Sequence, residues 1–465
     1  MANGLEQHGT CEELMESPQI VEIQRLDELM KTPQIEEIQR LVARNIVLAK
    51  ILGEQRTTQS FSTADELANA FKGKLLTAGK TGLEAMEKAK IKYKDLIETA
   101  GITDEDLRKV FEMVWVYSRL ANPTGELLEE AISGIEGAEK TAIFASGLGA
   151  INAAVRQFVP PAKADGEKYV KGGKIVVIGS IYGGTYAQLM NICKETGRQL
   201  EFLSISDFKA QGLSDHTSMV FCETSNNPTL NVVPLKRVAE EARRVGAVSA
   251  CDNTFTPITV RPVENGIDLT ITSMTKYFNG RSESLGGCVS GNAELIGEFS
   301  DLQEGQRMLG GAIMDPRVAK KFLEHLANLP ERLFKATQNA RGVREVAIRS
   351  GFRAKTVEDF PEYSRIRNPA IPASVSNGMV SLFMDDAQQA SALVDMLIKE
   401  GIGHGAVSLG AEGTYYCIPG RTTHSEMPEE EMARAGITPG LVRISCGIEP
   451  DLIQRFEKVL TDFAK

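Results

Sequence analysis

The sequence predicts an α/β protein with a large, mainly parallel sheet followed by a smaller C-terminal α/β domain. The first observation is a series of short β-branched runs at 141–144, 174–178, 200–203, 219–222, 248–251 and 269–272, separated by helical stretches. Strands joined through helices pair in parallel, and the helices cover both faces of the sheet. The second is the pattern beyond about residue 325. Helical segments come first, then an apolar run at 379–384, a helix near 387–400, strands near 404–409 and at 441–445, and an amphipathic helix from about Pro450. The third is length: 465 residues exceed one simple core and favour two or three domains. The boundaries fall at 1–115, 116–325 and 326–465, and the Gly- and Pro-containing tract between Gly410 and Gly440 reads as a long loop over a cleft.

The region 1–115 is polar and helical in pattern and holds an internal repeat. Ser17-Pro-Gln-Ile-Val-Glu-Ile-Gln-Arg-Leu26 returns as Thr32-Pro-Gln-Ile-Glu-Glu-Ile-Gln-Arg-Leu41. Ser17 and Thr32 suit N-caps, Pro18 and Pro33 suit the first helical position, and Ile20, Ile23 and the later leucine recur at helical spacing. Two copies are too few for a solenoid. The reading is a pair of amphipathic helices packed on the body or on another subunit, with a dedicated partner-binding arm as the alternative. Gly79-Lys80-Thr81 ends like a phosphate-binding loop, but Lys74 stands where that motif needs glycine and Gly73 is one place out.

A formal net charge of −10 without any Lys/Arg run argues against a nucleic-acid or anionic-membrane partner. Cys11, Cys193, Cys222, Cys251, Cys288, Cys417 and Cys446 are odd in number and never form a C-x-x-C pair, which speaks against a zinc or thioredoxin-like site. They read as reduced, buried residues of an intracellular protein, and no metal is expected. The polar N-terminus has no signal-peptide order and no eighteen-residue apolar run occurs, so a cytoplasmic protein is expected.

Chemistry enters with Ser273-Met274-Thr275-Lys276-Tyr277-Phe278-Asn279-Gly280, which closes the last β-like run. The tract suits a lysine that forms a Schiff base with pyridoxal phosphate: the hydroxyls bind the cofactor phosphate, the amine reaches its aldehyde, and Gly280 lets the backbone turn away. Ligands of open α/β sheets bind beyond the strand ends, and the other candidates follow such ends. Asp252 would pair with a protonated pyridine nitrogen and keep the ring electron-withdrawing, or else cap a following helix. Ser146-Gly147-Leu148-Gly149 leads from strand to helix through small residues, so backbone N–H groups could meet a phosphate. A dinucleotide-binding turn competes there, but Asn152 stands where its last glycine belongs. Tyr182, in Tyr182-Gly183-Gly184-Thr185, offers a ring to stack on the pyridine and a hydroxyl for proton transfer at a leaving group, or simply half-buried packing.

In this order the segments resemble the Cys/Met-metabolism, or trans-sulfuration, family of pyridoxal-phosphate enzymes, which includes cystathionine γ-synthases, cystathionine γ-lyases and methionine γ-lyases. The resemblance spans roughly 117–463. It is carried by Tyr117-Ser118-Arg119, Asn122-Pro123-Thr124, Ser146-Gly147-Leu148, Tyr182-Gly183-Gly184-Thr185, Glu223-Thr224-Ser225-Asn226-Asn227-Pro228, Asp252-Asn253-Thr254, Ser273-x-Thr275-Lys276, and Leu441-Val442-Arg443-Ile444-Ser445 with Gly447-Ile448-Glu449. It implies the type I, aspartate-aminotransferase-like fold of pyridoxal-phosphate-dependent transferases, and a homotetramer of catalytic dimers. It also implies Tyr117 and Arg119 reaching the neighbouring subunit's cofactor phosphate, with Gly147, Leu148, Ser273 and Thr275 cradling the phosphate. Asn227 falls near the pyridine hydroxyl, Arg443 on the substrate α-carboxylate, and Ser408 and Thr414 on the substrate side.

Departures from the family pattern gather around the substrate side chain. The lysine motif continues as Asn279-Gly280-Arg281-Ser282-Glu283 where relatives have Asn-Gly-His-Ser-Asp. Gly413 stands where many carry a glutamate, unless Glu412 shifts by one to replace it. The turn Tyr182-Gly183-Gly184 lacks the cysteine associated with methionine γ-lyases, and the long repeat-bearing extension replaces the usual N-terminal arm. The expected function is a pyridoxal-phosphate-dependent C–S lyase acting by elimination on methionine, homocysteine, cystathionine or a similar γ-substituted amino acid. The alternatives are γ-replacement, joining an O-acylhomoserine to a thiol or sulfide, and a non-catalytic scaffolding relative. The intact Lys276, Asp252 and Arg443 set counts against the last.

Overall fold

The computed structural model describes residues 18–52, 79–111, 117–159 and 173–464. Cys11, Ser17 and the 73–78 part of the discarded phosphate-loop candidate lie outside them. Among the described residues, seven strands form the large sheet: β1 (Lys140–Phe144), β2 (Lys174–Ile178), β3 (Gln199–Leu203), β4 (Thr217–Glu223), β5 (Val248–Asp252), β6 (Leu269–Thr272) and β7 (Gly287–Gly291). Their spatial order is β1-β7-β6-β5-β4-β2-β3. The neighbours from β3 through β6 pair in parallel, as the alternation of strands and helices requires. Helices Gly147–Phe158 and Gly183–Thr196 cover one face and Leu235–Val245 the other. With both faces covered, β4 is buried along its whole length, which is why it reads as a continuous rather than alternating apolar run.

The sheet carries one strand absent from the sequence pattern. β7 runs antiparallel between β1 and β6, and its glycine termini look like turn punctuation. Both are strand ends where another backbone crowds in: a side chain at Gly287 would collide with the Ser146 carbonyl, and one at Gly291 would lie 2.5 Å from the Asp268 carbonyl. Because β7 opposes both neighbours, β1 runs in the direction of β6. The ends of β1, β2, β4, β5 and β6 therefore share one sheet edge, and the candidate residues follow those ends.

The second sheet holds β8 (Arg353–Lys355), β9 (Met379–Phe383), β10 (His404–Gly405), β11 (Tyr415–Cys417) and β12 (Leu441–Ser445), ordered β10-β11-β12-β9-β8. Helices Leu329–Arg349, Ala387–Lys399 and Leu452–Phe463 pack on it. Two expectations change here. The strand expected near 404–409 stops at Gly405; the chain turns at Gly410, which must be glycine because its φ is +70° and a Cβ there would stand 2.8 Å from the Tyr277 backbone nitrogen. This detour brings Val407, Ser408 and Leu409 to the large sheet's edge. The tract 410–440 is not one long loop, since it contains β11, a 3₁₀ turn Pro419–Arg421 and helix Glu429–Arg434.

The repeats form helices Pro18–Met30 and Pro33–Leu52, the second beginning at its proline as expected. Thr32 differs from the expectation: its hydroxyl donates to the Glu28 carbonyl of the preceding helix. Ile35, Ile38, Val42 and Leu48 are buried in a cluster shared with helices Pro123–Glu136 and Pro316–Leu326. Asn45, wholly buried, donates to the Leu127 carbonyl and to Glu130 at 2.8 and 3.0 Å. The extension is thus built into the core of its own chain.

Candidate active site

A cavity of about 300 Å³ opens at this sheet edge, between the two sheets. Its walls bring together Gly147, Leu148, Tyr182, Asn227, Asp252, Ser273, Thr275, Lys276 and Arg443. These residues come from five strand ends of the large sheet and from β12. Such convergence makes the cavity the candidate site. A wider cleft of about 870 Å³ beside Ser180 and Phe202 is less apt. Its Arg365 and Arg434 are already paired with Glu362 and Glu431.

Lys276 projects into the cavity and its amine donates to Ser408 Oγ at 3.1 Å. Burial, then the charge of Arg443, brings its pKa down to about 8, against the pull of Asp252. A lysine so placed is partly neutral near physiological pH and thus nucleophilic. We expect covalent uptake of pyridoxal phosphate by the cofactor-free protein, followed by visible absorbance, to quicken as pH rises and to level off just above about 8. An ordinary lysine, with its pKa near about 10.4, would keep accelerating well beyond that.

Asp252 ends β5 and is raised in pKa by burial, opposed by its hydrogen bond from Thr254 and by Lys276. Its Oδ1 accepts the Thr254 N–H at 2.9 Å, a local turn, and no helix begins there for it to cap. Gly147 opens helix Gly147–Phe158 against the lysine tract: a Cβ on Gly147 would stand 2.8 Å from Ser273 Cβ. Glycine is required for this approach. It sets the first-turn N–H groups of a helix beside the Ser273 hydroxyl, an arrangement that receives a phosphate. Ser146 caps the helix, its Oγ accepting from Gly149 N. The Thr275 hydroxyl is tied to Gly286, accepting from its N–H at 3.1 Å and placed 3.2 Å from its carbonyl.

Arg443, only 2% exposed, stands on β12 across from Lys276. Nη1 donates to Asn227 Oδ1 at 3.2 Å and Nη2 to the Val407 carbonyl at 2.8 Å, while Nε has no partner. Among the described residues neither Arg443 nor Asp252 makes an ion pair. A buried guanidinium without a carboxylate and a half-buried carboxylate without a contacting cation are costly alone. They fit a ligand that brings one group of each sign. Pyridoxal phosphate with an amino acid does so, through a pyridinium nitrogen and an α-carboxylate, so the residues present fit that cofactor.

Three candidates stand elsewhere. Thr414 is wholly buried and does not line the cavity; its hydroxyl donates to Glu449 and accepts from Gly447 N, and its N–H meets the other Glu449 oxygen. In this position it braces the turn after β12. Tyr117 and Arg119 lie outside the cavity walls, the guanidinium 5.7 Å from the tyrosine ring centre and hydrogen-bonded to the Met308 carbonyl. Glu412 does not swing toward the cavity and instead lies 3.9 Å from Arg281. Gly413 has open space where a Cβ would be.

Two site residues received no role from the sequence. Glu223 ends β4 beside Asp252 and lines the cavity; acids closing two adjacent apolar strands were a usable signal. His424, wholly buried with Nε2 3.1 Å from the Asn227 carbonyl, had none, being a lone histidine in a Gly- and Pro-containing tract. Burial first, and then Arg443, brings its pKa down to about 4, so it is a neutral hydrogen-bonding link.

The profile of the family described as Cys/Met metabolism PLP-dependent enzyme matches residues 98–461. A cystathionine beta-lyase of Bacillus subtilis is 29% identical over 361 residues, covering 75% of this chain and 86% of that protein. An L-methionine gamma-lyase of Pseudomonas putida is also 29% identical, over 74% of this chain and 84% of its own. The crystal structure of a cystathionine gamma synthase from Xanthomonas oryzae pv. oryzae, in complex with cystathionine, superposes with a TM-score of 0.66 at 28% identity. It covers 76% of this chain and 89% of that one.

Proposed function

Since the chain belongs to the Cys/Met metabolism family of pyridoxal-phosphate-dependent enzymes, we propose that it is a carbon–sulfur lyase of sulfur amino-acid metabolism. It acts by elimination on methionine, homocysteine, cystathionine or a similar γ-substituted amino acid. The observation that carries this reading is the convergence of Lys276, Asp252 and Arg443 on one cavity without ion-pairing to each other. Bound there, pyridoxal phosphate supplies the electron sink that makes an amino acid's α-proton acidic. Asp252 would supply the carboxylate that keeps the cofactor's ring nitrogen protonated. Gly147, Leu148, Ser273 and Thr275 would hold the phosphate. Arg443 holds the α-carboxylate by its planar fork. The Lys276 amine, oriented by Ser408, would take the α-proton and then move a proton from the β-carbon, so that the bond to the γ-substituent can break. Tyr182, which lines the cavity, would pack against the cofactor, and its hydroxyl would give a proton to the departing sulfur.

The same reading takes 116–325 as the cofactor-binding large domain, 326–465 as the small domain, and the region to about 115 as a helical extension. It places the enzyme in the cytoplasm, supported by six described cysteines that are all free and buried, with a homotetramer of catalytic dimers. Tyr117 and Arg119, exposed beside Met308, then serve the neighbouring subunit's phosphate. A second reading, γ-replacement, is favoured by the likeness to the cystathionine gamma synthase structure. Both readings share every step up to loss of the γ-substituent. An assay of keto acid and released thiol or sulfide across methionine, homocysteine, cystathionine, cysteine and O-acetylhomoserine separates them. Keto acid formed without added thiol is the expected result; turnover that requires an added thiol would establish replacement instead.

A further inference from the structure

Glu223 is a buried carboxyl group with no cation in contact. It is 5% exposed at the end of β4, with Asp252 as its register partner on β5. Burial and the Asp252 charge raise its pKa well above the usual carboxylate range; the two N–H groups bonded to it and Arg443 act the other way. Such a group persists in a packed interior only where its oxygens are satisfied, and here each oxygen takes one backbone donor. Oε1 accepts from Tyr182 N at 2.7 Å and Oε2 from Asn227 N at 2.8 Å.

The two donors belong to different loops, and each carries a side chain of the site. Tyr182 begins helix Gly183–Thr196 with no side-chain cap of its own, and is 39% exposed at the cavity. Asn227 follows β4 and meets Arg443 through Oδ1. The second-sheet unit closes on the same two loops: His424 Nε2 meets the Asn227 carbonyl, and the Thr423 carbonyl lies against Gly183 where any side chain would stand. Glu223 thus ties the Tyr182 N–H directly to the Asn227 N–H, beside Asn226, whose Nδ2 donates to the Ser180 carbonyl at 2.7 Å.

We propose that Glu223 is a positioning residue that holds the Tyr182 turn at a fixed distance from the Asn227–Arg443 pair, and so sets where the Tyr182 hydroxyl stands during turnover. The inference rests on the proposed role of Tyr182 in giving a proton to the leaving group. Glu223→Gln is nearly isosteric and keeps the packing, but it turns one acceptor into an NH₂ group facing a backbone N–H, so one of the two contacts is lost. A misplacement of about 1 Å at a reacting group costs on the order of 10²-fold.

The test is a double-mutant cycle on the holoenzyme, with cofactor retention checked by visible absorbance. Glu223→Gln is expected to lower kcat by about 10²-fold with a much smaller change in KM. Tyr182→Phe keeps the ring and removes the hydroxyl, and in that background Glu223→Gln is expected to cost less than about threefold, because its effect runs through the missing group. Losses that multiply in the double variant, or a Glu223→Gln enzyme with wild-type kcat, overturn the inference while leaving the reading of the site in place. Wild-type turnover in Tyr182→Phe alone overturns both. If Glu223→Gln yields no folded holoenzyme, Glu223→Asp gives the same comparison, since it keeps the carboxyl group but is one methylene too short to reach both N–H groups.

Discussion

Lys276→Ala is expected to give a folded protein that binds pyridoxal phosphate non-covalently and turns over about 10³-fold more slowly, or slower still, the scale set by losing a positioned acid–base group and nucleophile. The fold should tolerate the change. The amine makes one hydrogen bond, to Ser408 Oγ, and burial already disfavours its charge, so truncation relieves a desolvation cost. The phosphate cradle also stays intact, because the approach of Gly147 to Ser273 and the Thr275–Gly286 bonds are independent of the Lys276 side chain. Lys276 is the only lysine among the described residues that line the cavity. Borohydride reduction of the wild type followed by peptide mapping should therefore label Lys276. A label on another lysine would sink the assignment, and so would a Lys276→Ala enzyme with ordinary turnover.

How far the sequence revealed this site depended on how local each signal was. The parallel strands were legible because two-face burial leaves unbroken apolar runs, and the lysine, aspartate and arginine were legible because each closes or interrupts such a run. β7 was not, since its strand-end glycines answer to close backbone approach from Ser146 and Asp268, partners distant in sequence. The detour after Gly405 was missed for the same reason: what stops β10 is the need to carry Ser408 to Lys276, a contact across 132 positions. Thr414 sat in the right motif, yet its hydroxyl is spent on Glu449. Glu223 and His424 show the converse, since both meet the site chiefly through backbone groups, which no motif of side chains records.

Arg443→Lys should raise KM for every amino-acid substrate by about 10- to 100-fold, the equivalent of one or more charge-assisted hydrogen bonds at roughly 1.5–3 kcal/mol each. The geometry makes the arginine hard to replace. Asn227 Oδ1 and the Val407 carbonyl fix its fork from behind, and Nε remains a buried donor without a partner, so a carboxylate entering the cavity meets donors already oriented. Lysine offers one compact ammonium on a flexible stem and cannot make the paired contact. Because the α-carboxylate is common to methionine, homocysteine and cystathionine, the penalty should be nearly the same factor for each, whereas damage to a side-chain pocket would fall unevenly across them. kcat should change less than KM, since the grip on the carboxylate is present before and during the bond-breaking step. Steady-state kinetics on that panel, with cofactor content verified by absorbance, decides the matter: an unchanged KM, or a rise confined to one substrate, would remove Arg443 from the α-carboxylate.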